Sequence, residues 1–422
     1  MAQVNLSKKN IKTLNYEQQS ALELLNGYGN IFLTGAAGCG KSFLLKHFLK
    51  QQESTKFPVL ASTGAAAILV GGRTFHSFFG LGIMEGGMQA TIDRAVENKR
   101  LIKRLRGTEG VIIDEISMIS GPTLRAAEMI ARRVLDHERP WGGIRVIAVG
   151  DFAQLPPVNP FSKTKEWAFL DEVWQRSEFQ GVVLNEIMRT QDRDFLDVLS
   201  SVRDGVVTKK VEEFLNSRCG KVDGSEEFEG TRLFARKDNV DRYNLQHLEK
   251  IDSPVFRSVT HYSGKEREIE NFKKNAPIAD VITLKEGALV MLRMNDPERQ
   301  WVNGSTGHIK KITDEKLFIT LLKGREIEVE KTDFTLLDAD GTPVVTARNF
   351  PVSLAWAVTI HKSQGTTLDE TWMDIRGLWE PGQAYVALSR ATSPKGLYIE
   401  GWDARSIFTD PAVREFHKRV DK

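Results

Sequence analysis

The sequence predicts an α/β fold of two parallel-sheet domains, with a small insertion in the first and a β-rich module inserted into the second. Three observations carry that reading. Over residues 1–175 short apolar runs alternate with helical segments, joined by Gly/Ser/Thr-rich or acidic turns. One of those turns, Gly35–Ser42, is a glycine-rich loop between an apolar run and a helix. Between residues 253 and 345 the texture changes to short strand-like runs set apart by Asn303-Gly304, Lys323-Gly324 and Asp340-Gly341, which are turn dipeptides.

Composition narrows the class. A chain of 422 residues has room for several domains with their own cores. With 41% hydrophobic and 27% charged residues it reads as globular rather than disordered. No apolar run approaches the ~18 residues of a membrane-spanning helix. Two cysteines, Cys39 and Cys219, exclude a disulfide framework or a cysteine-built zinc cluster and fit a reducing cytosol. Met1–Thr13 is polar and lacks the apolar stretch of a secretory leader. A formal net charge of +2 allows nucleic-acid binding through a local basic groove without announcing it.

The expected strands of the first domain are Asn30–Thr34, Pro58–Ser62, Val111–Asp114 and Val146–Gly150. Each is a continuous apolar run, as for strands covered on both faces. Residues 79–107 break the alternation. Gly80, Gly82, Gly86 and Gly87 interrupt the segment, and Lys99–Arg106 is a dense basic run. We read a small insertion whose basic run is either a solvated helix face or a DNA contact. Ile116–Asp136 reads as a packed amphipathic helix: Ser120 can cap, Pro122 suits the first turn, and Leu124, Ala127, Ala131, Val134 and Leu135 recur at helical spacing. The second domain is expected in two pieces, 176–252 and 346–403, with strands at Val182–Leu184, Leu233–Ala235, Val358–Ile360 and Leu397–Ile399, and 404–422 as a tail. The module at 253–345 holds Ala288–Leu292, His308–Ile312, Leu317–Leu321 and Glu326–Glu330; in the last, Ile327 and Val329 share one face.

Gly35-Ala36-Ala37-Gly38-Cys39-Gly40-Lys41-Ser42 follows a strand and opens a helix near Phe43–Lys50, the context the Walker A pattern requires. Gly35, Gly38 and Gly40 let backbone N–H groups approach phosphate oxygens, and the helix N-terminus adds its positive end. Lys41 is placed for the β/γ-phosphates of ATP and Ser42 for Mg²⁺, while Cys39 fills a small position. Val111–Ile113 followed by Asp114 and Glu115 matches Walker B. There Asp114 holds Mg²⁺ through water and Glu115 orients or deprotonates the attacking water. Gln154, within Gly150–Pro157, stands at a strand end where a neutral amide can sense the γ-phosphate; a surface-loop glutamine is the plain alternative.

Residues 14–19, both Walker elements, Ala61–Gly64, Gly71–Phe78, Gly150–Pro157, Thr359–Gly365 and Tyr385–Arg390 occur in an order that resembles a superfamily-one helicase. The nearest likeness is to the PIF (petite integration frequency) family of the 5′→3′ branch, related to the RecD and Dda helicases. Ile116–Asp136 is similar to its signature region, and the likeness runs from residue 14 to about 400. It implies two RecA-like domains with the ATP site at their interface, a Src-homology-type β-barrel at 253–345 and a duplex-splitting wedge within 79–107. Lacking the long N-terminal extension of eukaryotic members, the sequence looks like a compact bacterial or phage-type core.

The resemblance also implies roles. Gln18 is similar to the glutamine that reads the adenine edge, its amide having the donor and acceptor such a contact needs. Gln364 and Gly365 belong beside the nucleotide. Arg189 and Arg390 look like the two arginines delivered by the second domain, whose guanidinium groups can offer bidentate donors to the transferring phosphoryl group. An ordinary salt bridge is the alternative for each, and Thr190 stands where the family usually has glutamine. Ser62, Thr63 and His76 in the first domain, with Thr359, His361 and Lys362 in the second, look like contacts to single-stranded DNA. His76 and His361 serve equally as structural hydrogen-bond partners, and Phe78, Phe79 and Trp356 read as core before stacking platforms.

The activity implied is ATP-dependent 5′→3′ translocation on single-stranded DNA and unwinding of forked or partial-duplex DNA, by a monomer in the cytoplasm. Three rivals stay open: an ATP-driven remodeller that strips proteins without unwinding, an RNA helicase of the same superfamily, and a P-loop ATPase indifferent to nucleic acid. The residues do not choose among fork, recombination intermediate, G-quadruplex and RNA–DNA hybrid as substrate.

Overall fold

The structure, a computed structural model, describes residues 14–420 apart from 54, 55, 70, 83, 85, 136, 137, 158–163, 221–227, 229, 275, 297 and 299. Met1–Thr13 and Asp136, both singled out in the sequence, lie outside the described residues. The apolar runs of the first domain become β1 (Ile31–Gly35), β2 (Val59–Ala61), β3 (Arg73–Thr74), β4 (Gly110–Ile113), β5 (Arg145–Val149) and β6 (Gln180–Leu184). They form one parallel sheet in the order β3-β2-β4-β5-β1-β6. β1 and β4 are buried along their whole length, which is why their sequences do not alternate.

Two boundaries differ from expectation. Val182–Leu184 was assigned to the second domain, yet β6 pairs with β1 throughout, Leu33 opposite Val182, and edges the first sheet. Strand propensity says nothing about which sheet a strand joins. Residues 404–422 are expected as a C-terminal tail. Instead the Pro411–Val420 helix buries Val413 in the first-domain core, stacks Phe416 on Phe169 at 4.4 Å, and follows Asp410, which accepts from Trp167 Nε1 at 2.8 Å.

The 79–107 insertion folds as helices Gly87–Val96 and Lys99–Arg106. Ile92, Ala95, Leu101 and Leu105 are buried in the same core as Leu124, Ala127, Ala131 and Val134 of the Gly121–Leu135 helix, whose spacing was read correctly. Within the basic run Lys99, Arg100, Lys103 and Arg106 are exposed. Arg104 instead pairs with Asp340 at 2.8 Å and donates to Phe78 O at 3.0 Å.

A second sheet opens with β7 (Thr231–Phe234), then the chain leaves it. β8 (Phe256–Val259), β9 (His261–Gly264), β10 (Val281–Leu284), β11 (Leu289–Leu292), β12 (Thr306–Ile312), β13 (Lys316–Leu321), β14 (Glu326–Glu330), β15 (Thr332–Leu337), β16 (Pro343–Asn349) and β17 (Val352–Leu354) make up the inserted region. It is more than one module and runs past 345. β14-β13-β12-β11-β17 is a five-stranded antiparallel sheet, β15-β16-β9 a separate three-stranded one, and β10 pairs with β8. Among the described residues no ladder joins β14 to β17, so the expected barrel is, in its pairing, a sheet with two edges. Ile327 and Val329 face inward between exposed glutamates, as their alternation requires. The tip of the β15–β16 hairpin reaches the first domain, where Arg73 donates to Ala339 O and Arg104 meets Asp340.

β18 (Ala357–Thr359), β19 (Thr371–Ile375) and β20 (Leu397–Trp402) complete the second parallel sheet in the order β18-β7-β19-β20. β19 was missed in the sequence. No helix among the described residues is long and apolar enough to cross a membrane.

Candidate nucleotide and nucleic-acid site

β1 runs directly into the phosphate loop and the Lys41–Leu49 helix leaves it. Gly38 and Gly40 hold φ of 87° and 88°, which suits glycine. They are also where side chains approach closely. A Cβ on Gly38 would lie 2.6 Å from Arg189 Cβ, and one on Gly40 2.5 Å from Gln18 Nε2. Lys41 Nζ donates to Gly35 O at 2.7 Å and Ala36 O at 3.1 Å, and Ser42 is exposed on the first helical turn. Gln18 is buried. Its Oε1 accepts from Asn15 N, and its Nε2 donates to Cys39 O at 3.4 Å, so it braces the loop from the Tyr16–Asn26 helix.

Asp114 and Glu115 follow β4. Glu115 has φ 52° and ψ 50°, a left-handed conformation uncommon outside glycine. Its Oε2 accepts from Gln364 Nε2 at 3.1 Å, and the same nitrogen lies 3.4 Å from Gln154 Oε1. Walker B, the Gly150–Pro157 segment and the Thr359–Gly365 loop therefore meet at one point. Burial, then the neighbouring Asp114, raises the Glu115 carboxyl to about 7, against the opposing pull of Lys41 and Arg390. Burial also raises Asp114, offset by the Glu115 N–H and Lys41. Gly365 sits exposed at φ 76°.

Arg390 is 1% exposed. Nε donates to Val386 O at 2.8 Å, Nη1 to Ser363 O and Thr366 O at 3.3 and 3.2 Å, and Nη2 to Ser389 Oγ at 2.8 Å. Burial and then Arg189 bring its pKa down to about 9. Arg189 donates to Ser389 O. Among the described residues neither arginine has a carboxylate partner, so the salt-bridge alternative does not hold. Arg189 differs from expectation in origin: it stands on the connection between β6 and the Arg193–Arg203 helix, with Met188 N bonded to Gly38 O at 2.9 Å.

Sequence reasoning missed two groups. Tyr385, fully packed on the Gln383–Leu388 helix, accepts from Ala37 N at 2.8 Å, tying the phosphate loop to the second sheet's side of the cleft. Asp151, inside the same segment as Gln154, is 0% exposed and accepts from Arg203 Nη2 at 2.9 Å and Nε at 3.2 Å. Burial would raise its carboxyl, but Arg203 and His417 outweigh that and hold it at about 2. Both residues lay within motifs already singled out, and neither motif says which of its members turn inward.

The proposed DNA contacts lie at or just beyond the ends of β2, β3 and β18, in two groups, one on each sheet's side. Ser62, half-buried after β2, donates to Met118 Sδ at 3.6 Å, and Thr63 Oγ1 accepts from Ala66 N at 3.2 Å. Thr359 closes β18 and its Oγ1 accepts from Lys362 N at 3.1 Å. His76 and His361 are half-buried, and burial lowers both. Phe78 and Phe79 are fully buried and pack as core, whereas Trp356 is half-buried and stacks on His247 at 5.7 Å.

Fold and site together define a P-loop ATPase whose phosphate loop, carboxylates and paired arginines lie between two parallel sheets. Comparison narrows the class. The PIF1-like helicase family matches residues 13–213. A Bdellovibrio bacteriovorus ATP-dependent DNA helicase Pif1 is 53% identical over 408 residues, covering 97% of this chain and 92% of that protein. Of the longer ATP-dependent DNA helicase PIF1 from Danio rerio, 34% identical, the chain spans 64%. The crystal structure of Bacteroides sp Pif1 in complex with ADP-AlF4 superposes with a TM-score of 0.84 at 28% identity, over 97% of both chains. A Bacteroides Pif1 in complex with ADP-AlF3 and ssDNA matches at 0.66 and 27%, again over 97% of both. The chain belongs to the PIF1-like helicase family.

Proposed function

We propose that this chain is an ATP-dependent DNA helicase that moves 5′→3′ along single-stranded DNA and opens forked or partial duplexes. The observation that carries it is the meeting of Glu115, Gln154 and Gln364 beside a phosphate loop that Arg189 and Tyr385 contact from outside its own sheet. Lys41 turns from the loop carbonyls to the β/γ-phosphates, Glu115 orients the attacking water, and Arg189 and Arg390 meet the charge that builds on the phosphoryl group. Ser42 and Asp114 supply hydroxyl and carboxylate oxygens, a donor set that suits Mg²⁺. The bound ion neutralises phosphate charge. Gln18, braced on the same loop, is the group that would read the adenine edge.

Gln364 belongs to the same loop as His361, so a nucleotide-dependent movement of Gln364 is felt by the strand contact three residues away. Ser62, Thr63 and His76 on one sheet, with Thr359, His361 and Lys362 on the other, then hold the strand alternately as the cleft opens and closes. The protein works as a monomer on DNA in the cytoplasm. The test is ATP-dependent unwinding of two partial duplexes, one with a 5′ tail and one with a 3′ tail. Opening of the 5′-tailed substrate alone is expected. Opening from the 3′ tail overturns the polarity, and DNA-stimulated hydrolysis without opening of either favours the remodeller. RNA and DNA compared as activators of hydrolysis decide the nucleic-acid class.

A further inference from the structure

The turn that carries Gln154 is shaped by Asp151. Gln154 N donates to Asp151 O at 3.0 Å and Ala153 N to Asp151 Oδ1 at 3.1 Å, which closes the backbone over residues 151–154. Gly382 packs against the outside of this turn, where a Cβ would lie 2.5 Å from Gln154 O. The backbone is therefore held, and what is left to set is the direction of the buried Gln154 side chain. Its Nε2 lies 3.5 Å from Asp151 Oδ2, and its Oε1 lies 3.4 Å from Gln364 Nε2, the nitrogen that donates to Glu115. An ionised carboxylate only accepts hydrogen bonds. Asp151 thus draws the amide nitrogen to itself and leaves the amide oxygen facing Gln364 and Glu115.

The orientation of Asp151 comes in turn from Arg203. Nε and Nη2, on one edge of the guanidinium, reach the two carboxylate oxygens at 3.2 and 2.9 Å. Such a two-point contact fixes the plane of the carboxylate as well as its charge. Arg203 ends the Arg193–Arg203 helix, and Phe195, Val198 and Val202 of that helix are buried with Leu233, Val358 and Met373 of the second sheet. The Arg203 carbonyl accepts from Thr409 Oγ1 at 2.6 Å, which holds the helix end in place. A side chain anchored in the second core therefore reaches, through one carboxylate, an amide that belongs to the first domain.

We propose that Arg203 is a positioning residue for ATP hydrolysis: through Asp151 it sets Gln154 against Gln364 and Glu115. This rests on the helicase reading above and deepens it at the same site. Arg203 acts only through Asp151, so its loss is felt in turnover rather than in ATP affinity. A change in how the second core meets the first reaches the hydrolytic groups through this pair.

The experiment measures kcat and KM for ATP hydrolysis by the full chain with saturating oligothymidylate, and affinity for a fluorescent ATP analogue. Arg203→Lys keeps the charge beside Asp151 but cannot repeat the two-point contact. It is expected to lower kcat about tenfold, with KM and analogue affinity within about twofold of the parent. Gln154→Ala should lower kcat on its own. In that background Arg203→Lys should cost nothing further, a non-additivity that a general loss of stability does not produce. If Arg203→Lys does not fold, Asp151→Asn takes its place with the same expectation, because an amide there offers Gln154 a donor as well as an acceptor. Parental kcat in Arg203→Lys, or the same fold loss with and without Gln154, overturns the positioning role alone. Parental turnover in Gln154→Ala overturns the reading of the hydrolytic site and this role with it.

Discussion

Replacing Arg203 with methionine removes the cation from a buried pair that joins the Gly150–Pro157 segment to the Arg193–Arg203 helix. Asp151 has no exposed surface, with Arg203 nitrogens at 2.9 and 3.2 Å and His417 Nε2 at 3.8 Å. Its carboxyl lies at about 2 against an ordinary 3.8. A difference of about 1.8, at about 1.36 kcal/mol for each pH unit, favours the charged form by about 2.4 kcal/mol. Arg203→Met strands that carboxylate without its main partner, so the expected loss is larger, about 3–5 kcal/mol. Adding Asp151→Asn should recover much of it. The assay is urea unfolding at pH 7, followed by tryptophan fluorescence, on the four proteins of the cycle. The pH dependence has a definite sign. Because the folded carboxyl is depressed, its contribution is complete above about pH 4 and is lost as pH falls toward 2. Asp151→Asn should lack that acid-dependent part. An Arg203→Met protein within about 0.5 kcal/mol of its parent, or equal acid losses in parent and Asp151→Asn, would refute the reasoning.

Lys41→Ala should abolish ATP hydrolysis, and near-normal turnover would remove Lys41 from the phosphates. Glu115→Gln should still bind a fluorescent ATP analogue while turnover falls by about 10²–10⁴; survival of turnover means that another group handles the water. Tyr385→Phe leaves Ala37 N–H without its buried acceptor, a cost of about 1–3 kcal/mol. We expect weaker ATP binding by roughly tenfold, and unchanged affinity would show that the bond does not shape the loop. His361→Ala should lower DNA-stimulated hydrolysis while nucleotide affinity holds, and full stimulation in that variant would remove it from the strand path.

By itself the sequence determined the α/β class and the first four major strands, and it located the glycine-rich loop after β1 and the two carboxylates after β4. These are local signals: a buried parallel strand needs a continuous apolar run, and a phosphate loop needs glycines at set positions before a helix. The Gly121–Leu135 helix and the inward face of β14 were legible for the same reason, since their periods of burial are written in consecutive residues. Only the tertiary structure decided that β6 edges the first sheet, that the Pro411–Val420 helix returns to the first core, and that the insertion pairs its strands in three separate sheets. It also decided the partners that cross the cleft: Tyr385 on Ala37, Arg203 on Asp151 and Gln364 on Glu115, the last 249 residues apart in the chain. Which distant segment supplies the opposite partner depends on how sheets and helices pack in space, and no local period or propensity encodes that.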